Sequence, residues 1–215
     1  MFTACGELKE MLDGLDPARH LSAEGIAQTC EWKTAYYSFA CPLVTGATLG
    51  GASQPDIDAL YRYALSVGLA FQIRDDVMDL SDNGTEAPLG DLREGKLTLP
   101  LWYAIQHGSA GDRARLASVL NGGTRTRRAA ESARRVIVRA GGVEFAKQAI
   151  ARHAGEVRGL LGSLGMAEAC RQQLARYTDQ LLALPVDGIQ RRHNTKRRRT
   201  DHETSGQNSR SRIAA

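Results

Sequence analysis

From Ile57 to Phe71 the chain repeats an apolar side chain every third or fourth position, through Leu60, Ala64 and Val67, and the same run then ends in three carboxylates. That spacing specifies one face of an α-helix. The segment "GLAFQIRDDVMDL", Gly68 to Leu80, therefore sets Asp75, Asp76 and Asp79 on a helix otherwise built for burial, with Arg74 as its one basic residue. Carboxylates are seldom buried unless paired or bound to a metal. Asp75 and Asp79 fall one turn apart on a shared face, with Asp76 about 100° round on its flank. Like charges at that spacing repel, so the pattern is costly unless a cation lies between them. Hard oxygen donors at this density suit Mg²⁺, which typically bridges carboxylates to phosphate groups. An exposed acidic patch is the plainer alternative.

The rest of the 215 residues shows helical periodicity and no strand-like alternation of useful length, which indicates an all-α domain. Ser22 is placed to cap a helix with Glu24 in its first turn, continuing through "IAQTCEWKTAYYSFACPLVTGATL" to Gly50 and Gly51. Pro42 should kink or divide it. Thr34 to Pro55 runs 22 residues without a charge, but its Ser, Thr, Gln, Pro and Gly content marks a buried helix rather than a membrane span. "SQPD" at 53–56 reads as a second helix start, with a Ser cap and Pro in the first turn. Ser81 to Gly90 reads as loop, and "KLTLPLWYAIQHG" as a short helix ending near Gly108. Further helices are expected at Asp112–Leu120, Thr124–Ala140, Val143–Leu164 and Met166–Leu184, with Pro185 closing the folded part, residues 1–185.

The net charge of +4 belongs to the end of the chain. Val186 to Ala215 holds eight Lys or Arg against three Asp or Glu, which leaves the body at −1. Residues 186–215 read as a basic, disordered tail, too polar to offset their ordering entropy, and the body makes no case for nucleic acid. Cys5, Cys30, Cys41 and Cys170 have no metal-ligand spacing and read as reduced thiols in or near the core. The opening "MFTACGELKEMLDG" reaches Glu7 and Lys9 without an apolar segment, so no signal peptide is expected and the location is read as cytoplasmic.

Two stretches flank the acidic run with cations. "EWKTAYYSF" sets Lys33 and Thr34 in the preceding helical segment, and "GDLREGKLTLP" brings Asp91, Arg93 and Lys96 beside Gly90 and Gly95. Glycine-rich backbone beside a lysine can wrap an anion. Carboxylates for a cation between two lysines for an anion describe a phosphate or diphosphate held through Mg²⁺.

In order and spacing, "KT", "FQIRDDVMDL" and "GDLREGKLTLP" resemble the second half of the trans-isoprenyl diphosphate synthases, the polyprenyl synthetase family. The resemblance covers Ser22 to about Gly108, with helical padding to about Leu184. It implies an isoprenoid synthase-type helical bundle and condensation of an allylic diphosphate with isopentenyl diphosphate. It further implies Asp75, Asp76 and Asp79 as Mg²⁺ ligands, with Asp75 the direct one. Lys33 and Thr34 are implied at the allylic diphosphate and the carbocation, Phe71 and Gln72 at the first carbons of the chain, and Lys96 at the diphosphate.

The sequence also departs from that pattern. The family's first aspartate-rich motif has no counterpart, its Gly-Gln-x-x-Asp is altered to "GELKE" at 6–10, and "NGTEAPLGD" has Ala87 in a region where a lysine is usual. The expectation is thus an N-terminally truncated bundle, working with a missing half or in a homo- or hetero-oligomer with another prenyl synthase chain. The alternative is a non-catalytic subunit or truncated remnant that associates with a full-length synthase.

Overall fold

The computed structural model describes residues 1–15, 22–81, 89–118, 120 and 126–184. The expected tail at 186–215, Pro185 and Ala87 lie outside the described residues. Among the described residues every regular element is helical: α1 Phe2–Leu15, α2 Ala23–Cys30, a π-helical stretch Glu31–Ala40, α3 Cys41–Leu49, α4 Gln54–Asp79, α5 Gly90–Glu94, α6 Leu99–His107, α7 Ala110–Ser118, α8 Arg127–Arg139, α9 Gly142–Ser163 and α10 Glu168–Leu182. No described helix is long and apolar enough to cross a membrane.

The caps read from sequence are present. Ser22 Oγ accepts from Gly25 N–H at 2.9 Å, and Ser53 Oγ accepts from Asp56 N–H at 3.4 Å with Pro55 in the first turn of α4. Each satisfies an amide that the first turn leaves without a partner. The segment expected as a helix that Pro42 kinks or divides is three consecutive pieces. At Cys41 the amide reaches back five residues to the Tyr36 carbonyl, the wide π spacing, and α3 begins with Pro42 in its first turn. Proline has no amide to continue the ladder, so the division falls where sequence placed it.

At 26 residues, about 39 Å long, α4 is the axis of the bundle. It runs antiparallel to α9, with Gly165 N–H just past α9 donating to Asp56 and Ser66 meeting His153 at 3.0 Å, and it is tied to the end of α10 by Arg74 Nε donating to the Ala183 carbonyl at 2.7 Å. Its N-terminal half, with Leu60, Tyr63 and Val67, closes one core against Val157, Leu161 and Leu164. Its C-terminal half, with Ala70, Ile73 and Val77, enters a larger core with Ile26, Leu101, Val136, Ile137 and Ile150. The other side of α4 carries the π stretch, and the backbones approach so closely that a methyl on Gly68 would lie 2.6 Å from Ala35 Cα.

Two expectations are corrected. α3 contributes no buried residue, and Leu49 is 85% exposed, so the α3 part of the charge-free stretch is peripheral rather than buried, whereas Ala35 and Ala40 of its π-helical part are in the core. Of the four cysteines only Cys30 is buried, and Cys5, Cys41 and Cys170 are exposed.

Candidate functional site

The π stretch sets Lys33 and Thr34 between two helices. On one side α1 lies so near that a methyl on Gly6 would sit 2.5 Å from the Lys33 amide nitrogen. This contact brings the carboxylates of α1 to the lysine: Glu10 Oε2 is 2.9 Å from Lys33 Nζ and Glu7 Oε1 is 3.5 Å away. Burial pulls the lysine's pKa down, but the hydrogen bond and charge of Glu10, with Glu7 behind it, outweigh that pull and leave it above the usual value. On the other side Thr34 Oγ1 donates to Gln72 Oε1 of α4 at 2.8 Å, and Gln72 Nε2 donates to Asp76 Oδ1 at 3.1 Å. The amide of Gln72 therefore links the hydroxyl of one helix to the carboxylate of the next turn of another.

The three aspartates of α4 occupy three different settings. Asp75 is exposed. Asp76 is 6% exposed, and Gln72 is its hydrogen-bond donor. Burial raises its pKa well above the ordinary carboxylate range, and the charges of Asp91, Asp75 and Glu10 push the same way against the Gln72 bond. Asp79 is half-buried and caps the next element: Oδ1 accepts from Gly90 N–H at 2.9 Å and Oδ2 from Asp91 N–H at 3.0 Å. The inward direction of this helix end is thus that of Asp76, while Asp75 and Asp79, one turn apart, are less buried.

Gly90 to Lys96, read from sequence as glycine-rich backbone beside a lysine, includes the short helix α5, entered through Leu89 in the left-handed region at φ 63° and left through Gly95 at φ 74°. A non-glycine residue there stores local strain; the Asp79 carboxylate and the burial of Leu89 at 4% exposure hold it. From the end of this turn Lys96 Nζ reaches Asp91 at 3.0 Å and Glu94 at 2.8 Å. Burial opposes its charge, but those two carboxylates raise its pKa far above the usual lysine value.

These groups share one neighbourhood. Lys96 is close enough to push against the charge of Lys33, Lys33 acts on Glu94, and Asp91 and Glu10 both act on Asp76. Lys33, Thr34, Gln72, Asp76, Asp79 and Lys96 therefore come together from three elements, with Asp75 at the exposed edge. Arg93 is exposed and takes part only through its charge on Glu94. Sequence reasoning did not assign Glu7, Glu10 or Asp91 to the site. The signal was available in "GELKE", whose two glutamates are three apart and so share a helix face.

The donor chemistry suits a hard divalent ion: clustered carboxylate oxygens, one of them buried and short of hydrogen-bond donors. Yet among the described residues no three His, Cys, Asp or Glu side chains are gathered closely enough to hold a metal. The donor types fit, and further ligands would have to come from water, substrate or another segment.

The Phe71 ring packs against Phe39 of the π stretch, with ring centroids 5.5 Å apart. Phe39 in turn lines an open hollow of about 460 Å³ formed by Ser38, Pro42, Leu43, Leu60, Met166 and Leu174 among others. An apolar depression thus adjoins the charged neighbourhood through a pair of aromatic rings.

The profile of the family described as polyprenyl synthetase matches residues 1–137. A short chain isoprenyl diphosphate synthase of Methanothermobacter thermautotrophicus is 35% identical over 140 residues, which are 64% of this chain and 42% of that protein. Heptaprenyl diphosphate synthase component 2 of Geobacillus stearothermophilus is 36% identical over 96 residues, 38% of this chain and 29% of that protein. A solved structure of geranylgeranyl pyrophosphate synthase from Corynebacterium glutamicum, complexed with isoprenyl diphosphate and magnesium, superposes with a TM-score of 0.77 at 27% identity, covering 84% of this chain and 52% of that one. The chain therefore spans about half or less of the length of these proteins, and the likeness in fold extends past the family profile into α9 and α10. With the profile matching more than half of its residues, this chain belongs to the polyprenyl synthetase family.

Proposed function

We propose that this chain supplies one wall of a prenyl diphosphate synthase site, in which an allylic diphosphate condenses with isopentenyl diphosphate. The observation that carries the reading is one neighbourhood drawn from separate elements: Thr34 reaches Asp76 through Gln72, Lys96 pairs with Asp91, and Lys33, held by Glu10, lies near enough to Lys96 to feel its charge. Lys33, Thr34 and Lys96 bind the allylic diphosphate. As its C–O bond breaks, the electron pair leaves with the diphosphate, and fixed cations aimed there stabilise the developing charge. Isopentenyl diphosphate donates its double bond to the allylic carbon, and a proton is then lost. Phe71 and Phe39 form an apolar wall that keeps water from the carbocation, and Gln72 fixes the Thr34 hydroxyl. Asp75 and Asp76, with Asp79 once released from α5, would hold Mg²⁺, which supplies neutralising charge at the diphosphate oxygens.

The structural relatives solved with isoprenyl diphosphate and magnesium or calcium support the substrate class. One carboxylate wall holds a divalent ion from one side, so the working site includes a second wall from another segment or chain. Differential scanning fluorimetry of the chain with Mg²⁺ and an allylic diphosphate should show a raised melting temperature, and Asp75→Ala should remove the gain. Identical melting curves with and without ligand would defeat the reading.

A second reading, a non-catalytic subunit on a complete synthase, is favoured by one observation. Leu8, Met11 and Leu12, the second of them 69% exposed, leave an apolar strip on α1, more than isolated apolar residues on a surface. One relative is itself named as a component 2. Incubation with labelled isopentenyl diphosphate, alone and with a full-length synthase, separates the two: product from this chain alone supports catalysis, and altered product length only in the mixture supports the subunit role.

A further inference from the structure

Lys33 is not a free cation in this fold. Glu10 Oε2 stands 2.9 Å from its ammonium and Glu7 Oε1 3.5 Å from it, with the lysine and Glu10 side chains both about one-quarter exposed. An ammonium has three protons to donate, and two carboxylates already compete for them. The competition is set by backbone packing, since the close approach of Gly6 to the Lys33 main chain seats α1 beside the lysine. Lys96 is likewise engaged by Asp91 and Glu94. A bare diphosphate approaching this neighbourhood meets two lysines that already have partners, and the further carboxylates of Asp75 and Asp76.

We propose that Glu10 is a positioning residue that sets specificity: it serves as the internal counter-ion of Lys33, so that the site takes diphosphate as its divalent-cation complex and rejects the uncomplexed anion. The inference deepens the functional reading above and rests on Lys33 facing a diphosphate. In the complex the cation's charge offsets that of Glu10, and Lys33 donates to the phosphate with its remaining proton. Uncomplexed pyrophosphate has no such offset and must displace Glu10. Glu7, longer by 0.6 Å and half exposed, plays the lesser part. The "GELKE" sequence, with its two glutamates one turn apart on α1, is what installs this counter-ion.

The test uses the full chain, its Glu10→Gln, Glu10→Asp and Glu24→Gln variants, and two readouts. The first needs no ligand: the rate at which a brief pulse of acetic anhydride acetylates Lys33, followed by peptide mass mapping. Glu10→Gln should speed it by about fivefold, the factor that a half-buried ion pair of ordinary strength carries. The second is the calorimetric affinity for inorganic pyrophosphate in Mg²⁺ and in EDTA. Glu10→Gln should tighten the EDTA value by a similar factor and so lower the ratio of the two affinities. Glu10→Asp should keep the parental ratio, and Glu24→Gln, an exposed carboxylate on α2, should change neither readout. A purely structural role for Glu10 would shift both affinities together and leave their ratio fixed. If the parent binds pyrophosphate and Glu10→Gln alters neither the ratio nor the acetylation rate, the role given to Glu10 is overturned alone. If the parent binds pyrophosphate under neither condition, the functional reading fails, and the selectivity with it.

Discussion

Asp76 shows most plainly how the site sets stability against function. Its carboxylate is buried, receives a hydrogen bond from Gln72, and is surrounded by the charges of Asp91, Asp75 and Glu10. The folded chain therefore holds the proton more tightly than an unfolded one, where Asp ionises near about 3.9. Below that pH both states are protonated and no penalty exists. As the pH rises from there through the raised folded value, the unfolded state ionises first and folding loses free energy, and above the folded value the penalty is complete. Asp76→Asn keeps the shape and an acceptor for Gln72 while removing the charge. It should raise the melting temperature at pH 7, the gain should vanish in melts near pH 3, and the stabilisation by Mg²⁺ with an allylic diphosphate should be lost. A variant less stable than the parent at pH 7 would show that the ionised carboxylate is already neutralised. Residue types and order in the acidic run were readable from sequence; which aspartate points inward was not. That choice depends on α5, whose amides capture Asp79, and a separation of eleven and twelve residues between a carboxylate and the amides it caps has no local signature.

Among the elements, the π stretch is the one that periodicity could not disclose. Its residues keep a helical pattern, and the wider winding is expressed in backbone bonds such as Cys41 N–H to the Tyr36 carbonyl. Its consequence is functional, because it carries Lys33, Thr34 and Phe39 and lies between α1 and α4 at glycine contacts. Gly68→Ala should cost about 1–3 kcal/mol through overpacking against Ala35, measured as a lower midpoint in urea. Gly155→Ala, on an exposed turn of α9 with nothing within 4 Å of the added methyl, should instead be neutral or stabilise by up to about 1 kcal/mol. Equal effects would refute the close approach. α2 with its Ser cap, α9 with its long apolar stripe and α4 with both were legible because local chemistry and burial agree there. α3 was misread as buried because composition reports what a segment could bury and not whether a neighbour covers it. Ser66, His153 and Glu156 illustrate the opposite hazard, a trio that resembles a catalytic set. Both Ser66 Oγ and Glu156 meet the same nitrogen, His153 Nδ1, at 3.0 and 3.1 Å, which makes them a bracket between α4 and α9 rather than a relay through the ring.

For the whole molecule the central claim is that carboxylates and lysines remote in sequence serve one pocket. The shared electrostatic neighbourhood is the observation that favours that claim, and the family and fold likeness accord with it. The three linked motifs were legible because each keeps its residue types at short range, whereas the ion pairs joining α1 to the π stretch arise only on folding. The most direct measurement is a double-mutant cycle on Lys33→Gln and Lys96→Gln, read as calorimetric affinity for pyrophosphate in Mg²⁺. Two lysines on one diphosphate should be coupled, the double variant losing less than the product of the single losses by a factor equivalent to at least about 0.5 kcal/mol. Strictly multiplicative losses, or binding that neither substitution weakens, would contradict a shared pocket.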